Sequence, residues 1–355
     1  TIQRNAYGGG EGGAVYGTAN VKLNNGYIGY EYKNGEYLEK IEDDTKDTPN
    51  KLLDNAGCLF GGGYIDNSTV DKTNVILNGG VVRNSVFGGG EIAAIGRGDT
   101  KKKASGSGYE LNGLYRPGKT HIEMYKGLVQ RNVYGGGRGY DNLGRVGSLN
   151  CAGYVFGQTE VHIHGGEIGT AAGLAKGDGN VFGGCDIGYV YSAYENSDGT
   201  FGKGVKSGER YGNKFQGYYS KHAWDNDRDE EEQFAHENGD ERIFTEDCKV
   251  LVEPMCQVKL PVEVDGTGYA PGDFVPIAKL NKLRDKNSDS KWTFLDDAGI
   301  IIHNAVFAGG NNPPGAMATS ANTASVFGNA TASINDVFHR DLITLGTRHT
   351  GGLYG

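Results

Sequence analysis

Apolar and polar residues alternate along residues 74–90, which read Asn-Val-Ile-Leu-Asn-Gly-Gly-Val-Val-Arg-Asn-Ser-Val-Phe-Gly-Gly-Gly. The alternation turns at Gly79 and Gly80, resumes, and ends on Phe87 and a glycine run. Successive side chains of a strand point to opposite faces, so a period of two predicts half-buried β-strands. The stretch therefore predicts a strand, a glycine corner, a second strand and a further corner.

Versions of this unit recur along the chain. Alignment on the central glycine places strand copies at residues 20–28, 74–82, 121–129 and 160–168. The shared apolar positions form three columns, which are Val21, Val75, Ile122 and Val161; Leu23, Leu77, Met124 and Ile163; and Ile28, Val82, Val129 and Ile168. These columns predict the inside of a sheet, and the polar positions between them predict its outer face. A fifth copy around Ala332 and Ile334 is degenerate.

A second repeated landmark is an aromatic residue before a glycine-rich run, at Tyr7, Phe60, Phe87, Tyr134, Phe182 and Phe307. Glycine contributes 61 of the 355 residues, against roughly 25 at average usage. Only glycine accepts positive φ freely, so a corner repeated in every unit would explain the enrichment. Repeated strands that cannot bury their apolar side alone do so by stacking.

We therefore predict an all-β fold, a parallel β-solenoid of right-handed type with long corner loops. The solenoid repeats are assigned to residues 1–185 and continue at 299–355. Residues 186–298 are predicted to be an inserted β-rich subdomain or elaborate loop, because this charged segment lacks the repeat motifs and holds both tryptophans. An antiparallel sandwich or propeller is the alternative, and it would need hairpin turns at regular spacing.

The overall composition restricts the partners. A net charge of −9 argues against nucleic acid, whose phosphates need clustered Lys and Arg. No stretch approaches the ~20 apolar residues of a membrane-spanning helix. The chain begins and ends inside repeat motifs, so we expect it to be part of a longer protein.

The cysteine count is odd, at five, and does not make a complete disulfide framework. The spacing of Cys248 and Cys256 allows a disulfide between them. The other cysteines are predicted to be small buried residues.

Two histidines on one face of a predicted strand are the first candidate for chemistry. His162 and His164 point to the same side, and the neighbouring unit offers Glu123 and Tyr125 beside them. These groups suit a metal ion, but an exposed polar column that contributes to a binding surface is the favoured interpretation. Tyr218, Tyr219 and Trp224 in the predicted insert are further candidates for such a surface, because aromatic rings stack on sugars; they could equally pack the insert.

An acidic run at 225–232 is a candidate calcium site. Asp225, Asp227 and Asp229 place carboxylates at alternate positions, and Ca²⁺ prefers oxygen ligands. Glu230 stands where an EF-hand loop has its glycine, so a solvated acidic loop is favoured. The sequence indicates no other cofactor.

Sugar cleavage is the enzymatic alternative. It needs two carboxyl groups roughly 5–10 Å apart, and Glu123 and Glu160 project from adjacent units. Lyases built on such a fold also need a basic residue and calcium ligands on one face, and the sequence shows no such cluster. No catalytic residue is assigned.

The motifs at Thr73–Gly90, Thr120–Gly137 and Thr159–Gly184 combine a Thr-x-Val-x-Ile-like strand with an aromatic-Gly-Gly landmark. The combination resembles the glycine-rich repeat proteins on the surface of Gram-negative gut anaerobes and, more loosely, autotransporter-like adhesins. The resemblance implies a secreted β-helix protein at the bacterial cell surface. We expect a non-enzymatic adhesin or stalk that binds glycans or other surface proteins, with a polysaccharide lyase or hydrolase as the alternative.

Overall fold

The computed structural model of this chain describes residues 1–39, 56–65, 68–102, 109–116, 118–139, 153–171, 178–191, 193–195, 201–203, 246–259, 261–264, 266–276, 295–296, 299–311, 325–327, 329–335, 342–346 and 353–354. All regular secondary structure in these ranges is β-strand. Within the same ranges, no helix has the length and apolar character that crossing a bilayer requires.

The strands follow in chain order as β1 Ala6–Tyr7, β2 Val15–Leu23, β3 Tyr27–Ile28, β4 Tyr30–Lys33, β5 Glu36–Glu39, β6 Leu59–Phe60, β7 Val70–Val82, β8 Val86–Phe87, β9 Arg97–Lys102, β10 Tyr109–Arg116, β11 Gly118–Val129, β12 Val133–Tyr134, β13 Val155–Ile163, β14 Gly166–Ile168, β15 Val181–Phe182, β16 Tyr189–Tyr191, β17 Ala193–Glu195, β18 Phe201–Lys203, β19 Glu246–Val252, β20 Met255–Val258, β21 Val262–Val264, β22 Thr267–Tyr269, β23 Phe274–Pro276, β24 Leu295–Asp296, β25 Ile300–Ile302, β26 Val306–Phe307, β27 Ser325–Phe327, β28 Asn329–Ile334, β29 Ile343–Leu345 and β30 Leu353–Tyr354.

Two parallel sheets hold most of these strands. Among the described residues, the large sheet has 12 strands and the small sheet has 7. In the large sheet, one row of paired strands is β2, β7, β11, β13, β19 and β28. A second row continues as β3, the ends of β7 and β11, β14, β25 and β29. The remaining two strands are β16, which pairs with the start of β13, and β27, which pairs with β16. The small sheet runs β1, β6, β8, β12, β15, β26, β30. The chain alternates between the sheets, for example from β7 to β8 and then from β11 to β12.

The strand pairs within both sheets are parallel. In the described ranges, antiparallel strand pairing occurs in the hairpins β4–β5, β9–β10, β17–β18 and β21–β22, and in a three-stranded sheet of β23, β20 and β24. The prediction of an all-β, mainly parallel fold is confirmed. The antiparallel sandwich or propeller is wrong.

The predicted apolar columns are in register across the large sheet. Val75 pairs with Val21 on one side and Ile122 on the other, and Ile122 pairs with Val161. The second column continues in the same way through Leu77. From β7 to β13 these side chains are at most 1% exposed, and complete burial of each contributes roughly 1.5–3 kcal/mol.

Glycine serves two different purposes in the repeats. The central strand glycines have positive φ, at 110° for Gly26, 85° for Gly80, 110° for Gly127 and 96° for Gly166. The glycines after the aromatic residues do not: a Cβ added at Gly88 would lie 2.3 Å from the carbonyl oxygen of Gly135. The positive-φ explanation is therefore correct for the strand corners and wrong for the glycine runs, where neighbouring units approach too closely for a side chain.

The landmark aromatic rings form one continuous stack. Neighbouring ring centroids lie 5.1 Å apart for Tyr7–Phe60, 4.8 Å for Phe60–Phe87, 4.9 Å for Phe87–Tyr134, 4.9 Å for Tyr134–Phe182 and 4.9 Å for Phe182–Phe307. The near-parallel rings stay in register because their strands pair in the small sheet.

Part of the predicted insert belongs to the large sheet. Within residues 186–298, β16 pairs with β13, and β19 lies between β13 and β28. Val250 pairs with Val161 and with Ala332, so the degenerate fifth copy is also in register. Val250 and Val252 alternate as the predicted columns do, and both are 0% exposed. The chain leaves the sheet after Val252, enters the three-stranded antiparallel sheet, and returns at Ile300.

Cys248 and Cys256 belong to different apolar clusters. Cys248 packs with Val155 and Val190, whereas Cys256 packs with Val258 and Val275. Both are thiols in this structure, so the disulfide that their spacing allows is not formed.

Candidate functional site

Polar side chains converge on the outer face of β11 and β13. Parallel pairing sets His121 beside Glu160 and Glu123 beside His162. Because alternate residues of a strand share a face, Lys119 also lies on this side. We call Lys119, His121, Glu123, Glu160 and His162 the outward cluster.

His121 lies between two carboxylates. Its Nε2 atom is 3.1 Å from Oε1 of Glu123, and its Nδ1 atom is 3.1 Å from Oε2 of Glu160. The same Glu160 oxygen is 2.7 Å from Nζ of Lys119. The imidazole therefore connects acidic side chains from two adjacent strands.

His162 is the least satisfied member of the outward cluster. Its Nε2 atom lies 3.3 Å from Oε1 of Glu160, which is within reach of an ion pair. The atom is nevertheless buried and makes no hydrogen bond of acceptable geometry with the described residues. A buried ring nitrogen without a hydrogen bond can be satisfied by binding a proton or a cation.

The hydrogen bonds set the charges in the outward cluster. Hydrogen bonding to Glu123 and then to Glu160 raises the pKa of His121 to about 9. The bond from His121 lowers the pKa of Glu123 to about 2. The bond from His121, and then the nearby ring of His162, also lower the pKa of Glu160. At neutral pH the cluster therefore has an imidazolium between two ionised carboxylates.

Tyr125 connects the cluster to the antiparallel sheet. Its hydroxyl donates a hydrogen bond to Oε2 of Glu123. Its ring stacks on His164, with centroids 5.1 Å apart, and on Phe274 of β23, with centroids 4.1 Å apart. The antiparallel sheet thus covers one end of the outer face.

His164 lies under this cover. It is 1% exposed, and its Nδ1 atom is 2.9 Å from the carbonyl oxygen of Glu253. Burial lowers the pKa of His164. The prediction that His164 contributes to an exposed binding surface is therefore wrong, whereas His162 is half-buried at the cluster.

A group of three side chains has metal-ligand chemistry and spacing. One ligand atom from each of His121, Glu123 and His162 lies within 4.8 Å of the others. Sequence reasoning placed Glu123 beside His162 but chose His164 as the second histidine. The alignment contained the missing signal, because His121 precedes Glu123 by two residues and so shares its face.

A second line of polar residues borders the aromatic stack and was not anticipated. Each member is the fourth residue after a landmark aromatic, and parallel bridges connect Tyr64, Glu91, Arg138, Asp186 and Asn311. Glu91 is 3% exposed and accepts a hydrogen bond from the Tyr7 hydroxyl. Burial raises the pKa of Glu91, and it raises the pKa of Asp186 to about 6.

The hairpin β4–β5 presents an aromatic surface. Tyr32 is 57% exposed and Tyr37 is 49% exposed. The Tyr37 ring stacks on Tyr27 with centroids 4.1 Å apart and lies 4.9 Å from Tyr32. These tyrosines were not among the sequence candidates.

The remaining candidates, Asp225, Asp227, Asp229, Tyr218, Tyr219 and Trp224, lie outside the described residues. The calcium site and the aromatic binding surface assigned to them stay predictions.

Comparison with family models, curated proteins and solved structures finds no match to this chain.

Proposed function

We propose that this chain is a β-solenoid segment of a non-enzymatic extracellular surface protein, an adhesin or stalk that binds glycans or other surface proteins. The exposed tyrosine surface of the β4–β5 hairpin is the observation that carries the binding role. The location at the bacterial cell surface is proposed from the resemblance of the repeat motifs.

The path of the chain supports a solenoid. Each unit crosses the large sheet and then the small sheet before the next unit pairs beside it in parallel, as β7–β8 and β11–β12 do. A coil that advances by one strand spacing per turn has this connectivity. Right-handed winding is the sense that parallel crossover connections favour.

The tyrosine surface supports glycan binding. Tyr27 and Tyr37 hold each other in place by stacking, which reduces the entropy lost when a ligand binds. A tyrosine offers an apolar ring face and a hydroxyl, and a sugar offers C–H groups and hydroxyls. Grouped exposed rings are also typical of interaction sites.

The charge state of the outward cluster argues against glycoside hydrolysis there. A hydrolase needs one carboxyl group that is protonated near neutral pH. Hydrogen bonding lowers the pKa values of both Glu123 and Glu160. The arrangement of two acids beside one histidine still makes a polysaccharide-active enzyme the second candidate.

The decisive experiment screens the purified chain on a glycan array and compares Tyr32→Ala/Tyr37→Ala with a Tyr16→Ala control. Tyr16 is 72% exposed and lies on β2. We expect the double variant to lose at least tenfold in affinity for any glycan bound, and the control to bind as the native chain does. Equal binding by all three proteins would overturn the role of the hairpin.

The enzymatic alternative is tested on the same preparation with a panel of polysaccharides. Release of reducing ends or unsaturated products, abolished by Glu123→Gln or Glu160→Gln, would contradict the non-enzymatic assignment. Labelling of intact producing cells with an antibody against this chain tests the location, and signal only after permeabilisation would contradict it.

A further inference from the structure

We propose that His121, Glu123 and His162 bind one divalent transition-metal ion, for which Zn²⁺ is the best match. The proposal concerns the outer face of β11 and β13 and is independent of the β4–β5 tyrosine surface. It goes beyond the scaffold role, because it assigns metal binding to this face of the sheet.

The spacing of the three side chains fits a small cation. One ligand atom from each side chain lies within 4.8 Å of the other two. Zinc bonds of about 2.0–2.1 Å place tetrahedral ligand atoms roughly 3.3–3.4 Å apart. Small rotations about the side-chain torsions are therefore enough to close the ligands around the ion.

The backbone holds the ligands in place. Glu123 and His162 are directly paired across two parallel strands, and His121 lies two residues before Glu123 on the same face. Both strands have neighbours on either side in the large sheet. A site on such strands loses little freedom when the ion binds.

Supporting groups surround the ligands in the way that metal sites require. Oε2 of Glu160 is 3.1 Å from Nδ1 of His121, which leaves Nε2 of that ring, 3.1 Å from Glu123, on the ligand side. The Tyr125 hydroxyl donates a hydrogen bond to Oε2, the second carboxylate oxygen of Glu123. Metal-binding histidines commonly donate their other N–H to a carboxylate, and ligating carboxylates are themselves hydrogen-bonded.

His162 supplies an independent sign of a missing partner. Its Nε2 atom is buried and, although Oε1 of Glu160 lies 3.3 Å away, it makes no hydrogen bond with the described residues. Buried polar atoms are nearly always paired. A metal ion bound by this ring would supply the partner that Nε2 lacks.

The donor set selects the class of metal. Two imidazole nitrogens and one carboxylate suit Zn²⁺ and similar ions, whereas Ca²⁺ takes six to eight oxygen ligands. Three protein ligands leave a fourth position of the tetrahedron. All three side chains are only half-buried, so water can reach that position.

The test is a titration of the apo chain with ZnCl₂ and, separately, CaCl₂, followed by calorimetry. It is made at pH 8, and because imidazole binds metals only when neutral, Zn²⁺ must displace the proton that His121 still carries there. We expect one Zn²⁺ per chain and no saturable response to Ca²⁺. The variants Glu123→Gln and His162→Gln should each weaken Zn²⁺ binding at least tenfold, whereas Asn74→Ala, one strand away beside His121, should leave it unchanged.

Cobalt substitution separates this site from the cysteines. The absorption spectrum should lack the thiolate charge-transfer band, and the visible bands should disappear in the Glu123→Gln variant. Absence of one-to-one Zn²⁺ binding by the native chain would overturn the proposal. Full binding by Glu123→Gln and His162→Gln, with folding verified by circular dichroism, would also overturn it, as would a thiolate spectrum.

Discussion

The Thr120 hydroxyl donates a hydrogen bond of 2.6 Å to the carbonyl oxygen of Gly135, and so connects the large sheet to the segment that follows β12. The same bond recurs one unit earlier between Thr73 and Gly88, at 2.6 Å. Thr120 is 0% exposed, so no water can replace this hydrogen bond if it is lost. This repeated bond fixes the separation of the two sheets within a unit.

We expect Thr120→Val to lower the free energy of unfolding by about 1–3 kcal/mol, because it leaves the Gly135 carbonyl without this donor while nearly preserving volume. Denaturant unfolding followed by circular dichroism measures the change. Thr18→Val is the matched control, since Thr18 is exposed on β2, and it should change stability by less than about 0.5 kcal/mol. Equal effects of the two variants would show that the buried hydroxyl does not stabilise the unit.

The close approach of neighbouring units at the glycine runs predicts that a side chain added there is destabilising. A Cβ at Gly88 would lie 2.3 Å from the Gly135 carbonyl oxygen and 3.0 Å from Cβ of Thr120. We expect Gly88→Ala to force neighbouring units apart and to lower the free energy of unfolding by about 1–3 kcal/mol or more. Gly17→Ala is the control, because an added Cβ there meets nothing within 4 Å. Thermal unfolding of both variants is the measurement, and a Gly88→Ala protein as stable as the control would refute the close-approach explanation.

The aromatic stack should contribute strongly to stability. Phe87 is 1% exposed, and its ring lies between Phe60 and Tyr134. Truncation in Phe87→Ala should cost about 3–5 kcal/mol, because it opens a cavity and breaks two stacking contacts. Phe87→Leu keeps most of the volume and should cost clearly less. If both substitutions had the same small effect in chemical denaturation, continuous stacking would not be a source of stability.

Burial of Asp186 predicts a dependence of stability on pH. Burial raises the pKa of this carboxyl from 3.8 to about 6, against the opposing attraction of Arg138. Between these two values the folded chain binds more protons than the unfolded chain, so this group's stabilising contribution is lost as the pH rises. We expect Asp186→Asn to be more stable than the native chain at pH 8, by about 2–3 kcal/mol, and to lose that advantage near pH 4.

Paired denaturant titrations at pH 4 and pH 8 measure this difference. Glu36→Gln, at an exposed position of β5, is the control and should stay within about 0.5 kcal/mol of the native chain. A loss of stability in Asp186→Asn at pH 8 would mean that attraction to Arg138 outweighs the cost of burying the carboxylate.

The sequence by itself determined the β class and the inner face of the large sheet. Val75, Ile122 and Val161 occupy one column of the alignment and pair directly in the structure. The reason is local: a period of two assigns each side chain to a face whatever the strand's neighbours are. The aromatic-glycine landmarks were found for the same reason, because each unit repeats its own local pattern.

Only the tertiary structure decided which units are neighbours and which side chains meet between them. The sequence could not place Val250 beside Val161, since long segments of charged chain separate the two strands. It also chose His164 over His121 as a partner of Glu123, because lateral register and the cover provided by Phe274 are long-range properties. The glycine runs illustrate the same limit: their composition is local, but their need for glycine arises from the distance between Gly88 and Gly135 in adjacent units.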